Sequence, residues 1–203
     1  MRPSTLGQYI GQDHLLREGA SLRRALDAGL IPSMILWGPP GVGKTTLAQL
    51  IASHLKRTVY TLSAISSGVK DVREVINKVE QGGMFDQKGA ILFIDEIHRF
   101  SKAQQDSLLG AVEKGVITLI GATTENPSFE VISALLSRCQ VYTLKEHTKD
   151  DLLILLENAI AKDVILSKKN IDLKETSALI ALSGGDARKL LNVFEIIIGS
   201  FRE

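Results

Sequence analysis

Residues Gly38-Pro39-Pro40-Gly41-Val42-Gly43-Lys44-Thr45 constrain the fold more than any other stretch. They match the pattern G-x-x-x-x-G-K-[ST] at every fixed position. Residues 33–37 before them form a short apolar run of the kind a buried strand needs. Residues 46–55 after them carry apolar side chains at helical spacing. A glycine loop between a strand and a helix turns backbone N–H groups inward, so that they cradle phosphate oxygens, and the helix N-terminus adds partial positive charge. The expectation is a nucleotide held by Gly38, Pro39, Pro40, Gly41, Val42, Gly43, Lys44, Thr45 and Thr46. Lys44 is placed for the β- and γ-phosphates and the Thr45 hydroxyl for Mg2+.

Around that loop, apolar runs alternate with helical patterns through residue 144, the signature of a parallel α/β sheet. Strands are expected at 33–37, 57–62, 90–95, 116–122 and 141–144. One long helix is expected over 14–30, capped by Asp13, and others follow the loop, over 70–79, after Ser101 and over 131–136. Gly82-Gly83 is read as the stop of the helix over 70–79. Ser101-x-x-Gln104 and Thr148-x-x-Asp151 have capping-box spacing. From residue 147 the pattern becomes all-helical, with helices expected at 152–165, 174–182 and 186–198. About 55 residues hold little core of their own, so this tail is expected to pack as a lid on the α/β part. The division is therefore 1–146, a nucleotide-binding α/β domain, and 147–203, a helical lid, hinged near Lys145-Glu146-His147.

Composition adds mostly exclusions. The 203 residues are 44% hydrophobic and 23% charged, as in a globular chain with a real core, and the net charge of +1 gives no global pull toward nucleic acid. One cysteine, Cys139, excludes an internal disulfide and fits a reducing compartment. No apolar run approaches a membrane span, and Met1-Arg2-Pro3-Ser4-Thr5 lacks a signal-peptide core, so a cytoplasmic protein without membrane contact is expected. Four histidines and one cysteine show no metal-ligand spacing, and zinc is not expected.

Other residues carry chemistry by position. Asp95-Glu96 ends the apolar run 90–94, where ligands of open α/β sheets bind. Asp95 is expected to hold Mg2+ through water and Glu96 to polarise the attacking water as general base. Thr124 can sense the γ-phosphate and orient that water. Thr123 is its rival, because strand alternation aims only one of the two at the site. Arg138 reads either as a surface ion-pair partner or as an arginine finger acting on a neighbouring subunit's nucleotide. Arg188, in the first turn of a lid helix, can reach the γ-phosphate. Tyr9 and Ile10 are either plain core or a wall of the adenine pocket. His98 is expected to order the loop after Glu96. Lys70 and Arg73, in the first turns of a helix, are DNA-backbone candidates beside the plainer reading of a solvated face.

This ordered set resembles an AAA+ ATPase of the clamp-loader group, a P-loop NTPase whose five-stranded parallel sheet has the order 5-1-4-3-2. Met34-Ile35-Leu36-Trp37-Gly38-Pro39-Pro40-Gly41, Ser67-Gly68-Val69-Lys70, Asp95-Glu96-Ile97-His98-Arg99-Phe100 and Gly121-Ala122-Thr123-Thr124-Glu125-Asn126-Pro127-Ser128-Phe129 are similar to the replication-associated recombination protein A family. That family includes bacterial MgsA/RarA proteins and the eukaryotic Werner-helicase-interacting ATPase. The resemblance runs from Arg2 to about Phe201. It implies a DNA-dependent ATPase using ATP and Mg2+ at stalled or damaged replication forks, near gaps and single-strand/double-strand junctions. It also implies association with single-strand-binding protein and a cytoplasmic, nucleoid-associated location. The family's homotetramer forms through a region that would follow Glu203, so this chain is expected to be a core-and-lid fragment, with a monomer left open. By the family pattern Thr124 is sensor 1, Arg138 the finger and Arg188 sensor 2. A Holliday-junction branch-migration motor shares Asp-Glu-Ile-His-Arg and Gly-Ala-Thr-Thr. Glu125-Asn126-Pro127-Ser128-Phe129 and Ser137-Arg138-Cys139 favour the first reading. A clamp-loader-type assembly subunit that keeps ATP only as a structural ligand is the third; Lys44, Glu96 and Arg138 all being present argues against it.

Overall fold

The computed structural model describes residues 3–64, 67–82 and 89–200. A 3-10 turn at Leu6–Gln8 leads into two short helices, α1 (Asp13–Leu16) and α2 (Ser21–Asp27). Strand β1 (Met34–Trp37) passes through the glycine loop into α3 (Lys44–Leu55). Then come β2 (Val59–Ser63), α4 (Val69–Gly82), β3 (Ala90–Asp95), a 3-10 turn at Ile97–Arg99, and α5 (Lys102–Glu113). Strand β4 (Ile117–Thr123) is followed by two single-turn helices, α6 (Pro127–Glu130) and α7 (Ser133–Leu136), and by β5 (Gln140–Thr143). The helical tail holds α8 (Lys149–Lys162), a 3-10 turn at Leu166–Lys168, α9 (Ser177–Ser183) and α10 (Ala187–Ser200).

The strands form one sheet in the order β2-β3-β4-β1-β5, the expected 5-1-4-3-2 read from the other edge, and every pair is parallel. Side chains alternate faces along a strand, so two cores form. Met34, Leu36, Ile91, Phe93, Ile120 and Ala122 point to one face and pack with Leu22, Leu26, Leu47 and Ile51 of α2 and α3. Ile35, Leu92, Ile94, Ile117 and Leu119 point to the other and pack with Val72, Leu108, Ala111 and Leu135 of α4, α5 and α7. The continuous apolar runs of β3 and β4 mark strands covered on both sides. The tail has a separate cluster, built on Leu152, Leu156, Leu179, Ile180, Leu190 and Phe194. Among the described residues no helix is long and apolar enough to cross a membrane.

Both expected capping boxes form. Ser101 Oγ accepts from the Gln104 amide at 3.3 Å, and Gln104 Oε1 accepts from the Ser101 amide at 2.8 Å. Thr148 and Asp151 exchange the same two bonds at 3.1 and 2.9 Å.

Four expectations are corrected. The helix over 14–30 is broken into α1 and α2, because Arg17 and Ala20 are extended and Gly19 has φ +80. Nor does Asp13 cap it: the cap position is Gln12, at φ 63, whose side chain turns away to the Lys145 carbonyl. The helix over 131–136 shrinks to the single turn Ser133–Leu136, because Val131 is extended, and a separate turn at Pro127–Glu130 precedes it. The tail helices lie at 149–162, 177–183 and 187–200, displaced by up to three residues from their pattern-based bounds. The expected stop at Gly83 lies outside the described residues.

Gln105 ties the segment after β4 to α5. Its side chain is 1% exposed. Nε2 donates to the carbonyls of Phe100 and Glu130, both at 3.0 Å, and Oε1 accepts from the Ile132 amide at 2.9 Å. Replacing it with leucine strands three buried backbone groups. Gln105→Leu is expected to cost about 1–3 kcal/mol, the usual penalty for unmade buried hydrogen bonds. Urea denaturation checks this, and an unchanged midpoint would show that the staple carries no stability.

Candidate functional site

The carboxyl ends of β1, β3 and β4 converge on a cleft of about 580 Å³ between the sheet and the helical tail, within the size range of small-ligand sites. The loop 38–43 forms its floor. The Gly38 amide donates to the Thr123 carbonyl at 3.2 Å, which joins the loop's start to the end of β4. Gly41 and Gly43 have φ of +73 and +93, conformations that favour glycine. They are also crowded: a Cβ on Gly43 would stand 2.5 Å from the Tyr9 hydroxyl, and one on Gly41 would fall within the Asp186 carboxylate.

Lys44 begins α3 and is 7% exposed. Its ammonium donates to the carbonyls of Gly38 at 2.7 Å and Pro39 at 2.8 Å. Burial pushes its pKa below the ordinary lysine range, with Arg188 adding to this, while Glu96, Asp95 and Asp186 oppose it. Gly38 and Pro39 thus act through Lys44, whereas Pro40, Gly41, Val42, Gly43, Thr45 and Thr46 line the cleft themselves.

The Thr45 hydroxyl donates to Asp95 Oδ2 at 3.2 Å. A hydroxyl and a carboxylate side by side at the cleft wall are hard oxygen donors, the set that suits Mg2+. Among the described residues no group of three or more His, Cys, Asp or Glu side chains could hold a metal ion. That fits a metal completed by phosphate oxygens and water. Glu96 also lines the cleft, with φ 55 and ψ 47, a backbone region few non-glycine residues occupy.

Strand alternation separates the two threonines at the end of β4. Thr124 faces the cleft. Thr123 is fully buried, its hydroxyl oxygen accepting from the Glu125 amide at 3.0 Å, with His98 Nδ1 at 2.9 Å and the Glu125 carbonyl at 3.2 Å both within reach of its one proton. Tyr9 and Ile10 both line the cleft. The Tyr9 hydroxyl donates to the Val42 carbonyl at 3.0 Å, and burial raises its pKa. Arg188 enters from the first turn of α10. Asp186 caps that helix, accepting from the amides of Arg188 and Lys189 at 2.8 and 3.0 Å.

Arg138 stands apart from this cleft. Its guanidinium pairs with Glu113 and donates to the Ala134 carbonyl at 2.6 Å and to Ser137 Oγ at 3.1 Å. Lys70 and Arg73 are exposed along a shallow groove on α4. There Asp71, in the first turn, already accepts from the Gly68 amide at 2.6 Å.

Sequence reasoning missed the tail's own contribution. Leu155, Asn158, Ala159 and Lys162 line the cleft from one face of α8. Their spacing of three, four and seven residues was visible, but it also fits ordinary packing. Asp186 carries no role in the sequence reading. Gln12 exchanges two bonds with the Lys145 backbone, at 2.7 and 2.8 Å, and so ties the Tyr9 segment to the chain just before the helical tail.

Residues 34–146, more than half of the chain, match the model of the ATPase family associated with various cellular activities (AAA). The chain belongs to this family, whose members bind ATP with a divalent metal. Within it, the chain is 50% identical over 200 residues to Replication-associated recombination protein A of Coxiella burnetii, covering 97% of this chain and 45% of that protein. It is 48% identical to the Escherichia coli K12 protein of the same name, covering 97% and 44%. It is also 45% identical to ATPase WRNIP1 of Dictyostelium discoideum, covering 100% and 23%. The chain thus spans less than half the length of these relatives. The solved Thermotoga maritima RuvB Holliday junction branch migration motor matches with a TM-score of 0.75 at 30% identity, over 96% of this chain and 64% of that one.

Two predictions follow from the cleft. Lys44→Ala is expected to weaken nucleotide binding about 10- to 100-fold, the loss of a charge-assisted contact. Titration with a fluorescent ATP analogue checks it, and equal affinity would remove Lys44 from the phosphate site. The second concerns His147, which lines the cleft with a buried, unpartnered Nδ1. Burial lowers its pKa below the ordinary 6.5, against the charges of Asp151 and Asp186. The unfolded chain then binds this proton more readily, so the stability present above pH 6.5 is lost as pH falls through the folded-state value. His147→Asn is expected to reduce the drop in Tm on acidification, and identical acid slopes would clear His147 of that role.

Proposed function

We propose that this chain is the ATPase core and lid of a DNA-dependent, ATP-hydrolysing motor that acts in replication-fork maintenance, recombination and DNA repair. The observation that carries the reading is the presence of Lys44, Thr45, Asp95, Glu96, Thr124 and Arg188 around one cleft. A protein that used nucleotide only as a structural ligand has no need of Glu96.

On this reading the loop amides and Lys44 bind the β- and γ-phosphates, and the Lys44 ammonium exchanges the Gly38 and Pro39 carbonyls for phosphate oxygens. Mg2+, held by Thr45 and by Asp95 through water, would offset phosphate charge. Tyr9 and Ile10 border the base. Glu96 takes a proton from the attacking water, and Thr124 orients that water beneath the γ-phosphate. Arg188 links the γ-phosphate to the angle of α10. Arg138, away from its own chain's cleft, serves as the finger for a neighbouring subunit, and the working unit is a homo-oligomer, a tetramer in the full-length protein.

The replication role rests on the names of relatives 45–50% identical to this chain. We assign the whole protein to DNA forks, gaps or single-strand/double-strand junctions, in contact with single-strand-binding protein, in the cytoplasm near the nucleoid. Lys70 and Arg73 remain the DNA-backbone candidates, with salt-sensitive binding expected. The RuvB likeness favours a branch-migration motor as second reading, at the lower identity of 30%.

The test is ATP hydrolysis by the full-length protein with and without forked DNA. Turnover that rises with the fork is expected. An absence of hydrolysis in both conditions would overturn the proposal.

A further inference from the structure

We infer that His98 is the positioning residue for Glu96, holding the carboxylate from the end of β4 through Thr123. The inference rests on the proposed reading of Glu96 as general base.

Glu96 adopts its left-handed backbone at the entrance to the turn Ile97–Arg99, where its carbonyl accepts from the Arg99 amide at 2.9 Å. Such a conformation persists only where the surroundings impose it. Here they do. Ile97 and Phe100 are buried in the core, and Ile97 packs over Gly121 of β4, where any Cβ would meet Ile97 Cδ1 at 3.0 Å. That seat sets the turn against β4 two residues before Thr123. His98 between them meets both partners: Nδ1 lies 2.9 Å from Thr123 Oγ1, and Nε2 lies 3.3 Å from Glu96 Oε2. The His98 side chain is 12% exposed and that of Glu96 31%, so the ring is enclosed while the carboxylate opens to the cleft.

For a neutral ring, counting hydrogens assigns the tautomer. The Thr123 hydroxyl has one proton and two acceptors in reach, the Glu125 carbonyl and His98 Nδ1. If the proton goes to Glu125, Nδ1–H must donate to Thr123, and a neutral ring then turns the Nε2 lone pair on an anionic carboxylate. If the proton goes to Nδ1, a neutral ring carries its own hydrogen on Nε2, the nitrogen 3.3 Å from Glu96 Oε2, while the Glu125 amide still donates to Thr123. Only the second arrangement satisfies a neutral ring and an ionised Glu96 together. The result is a run of donors from the Glu125 backbone through Thr123 and His98 to the carboxylate. It begins on the residues flanking Thr124, so the base and the γ-phosphate contact are referenced to one strand end. In this role His98 touches no substrate atom. It limits where the Glu96 oxygens can lie relative to the attacking water.

The test uses this protein and reads single-turnover hydrolysis alongside nucleotide affinity. Glu96→Gln is the control: if it leaves the rate unchanged, the reading of Glu96 as base fails before His98 is at issue. Given a slow Glu96→Gln, His98→Ala is expected to lower the rate about 10- to 100-fold, the cost of misplacing a catalytic group by roughly 1 Å, with affinity unchanged. His98→Gln, whose amide nitrogen replaces Nε2–H, is expected to recover activity, and His98→Asn, which replaces only the Nδ1 side, is not. A wild-type rate in His98→Ala, or rescue by asparagine but not glutamine, overturns the inference. Long-range 1H–15N spectra supply a second measurement, with the His98 signal assigned from its loss in His98→Gln. A proton on Nε2 supports the assignment, and an unprotonated Nε2 overturns it.

Discussion

The fold depends on how closely other parts of the chain approach the loop between β1 and α3. Gly43 lies against the Tyr9 hydroxyl, from the segment before the sheet, and Gly41 against the Asp186 carboxylate, from the cap of the last helix. Gly38 lies against the Leu144 carbonyl, just past the last strand. Three segments far apart in sequence thus meet one loop at distances a side chain would forbid. A structure built this way cannot move the loop alone. A displaced loop would press on the Tyr9 and Asp186 side chains and on the Leu144 backbone.

That crowding explains which features were legible in the sequence. The sheet was legible because β3 and β4 are covered on both faces and read as unbroken apolar runs. The capping boxes were legible because their chemistry is local, two side chains three residues apart. The break between α1 and α2 was not. Leu15, Leu16, Leu22 and Leu26 keep helical spacing across it, and all four enter one core, so the pattern records the shared burial and not the extended residues 17 and 20. The two threonines were ambiguous for a similar reason. Either phase of a strand places a hydroxyl at its end, and only the pairing of β4 with β1 and β3 sets which one faces the cleft. Asp186 and the α8 face were beyond reach because their meaning depends on where the tail docks.

Charge in the cleft follows from the same arrangement. A buried ammonium at Lys44 is costly unless it is hydrogen-bonded. The loop meets that requirement itself through the carbonyls of Gly38 and Pro39, with Asp95, Glu96 and Asp186 nearby as counter-charge. The protein therefore needs no ligand to hold Lys44 in place. On the proposed reading, phosphate oxygens take the place of these two carbonyls.

Arg138 shows the opposite economy. Its partners, Glu113, Ala134 and Ser137, all belong to its own chain and lie at the surface. An exposed ion pair of this kind contributes about 0–1 kcal/mol, whereas a guanidinium placed on a phosphate makes paired, charge-assisted bonds that are roughly twice as strong as neutral ones. The pair with Glu113 can therefore keep the guanidinium extended and oriented without tying it down. On the proposed reading this asymmetry allows a neighbour's nucleotide to draw Arg138 away. The surface ion pair and the arginine finger then describe one side chain before and after assembly.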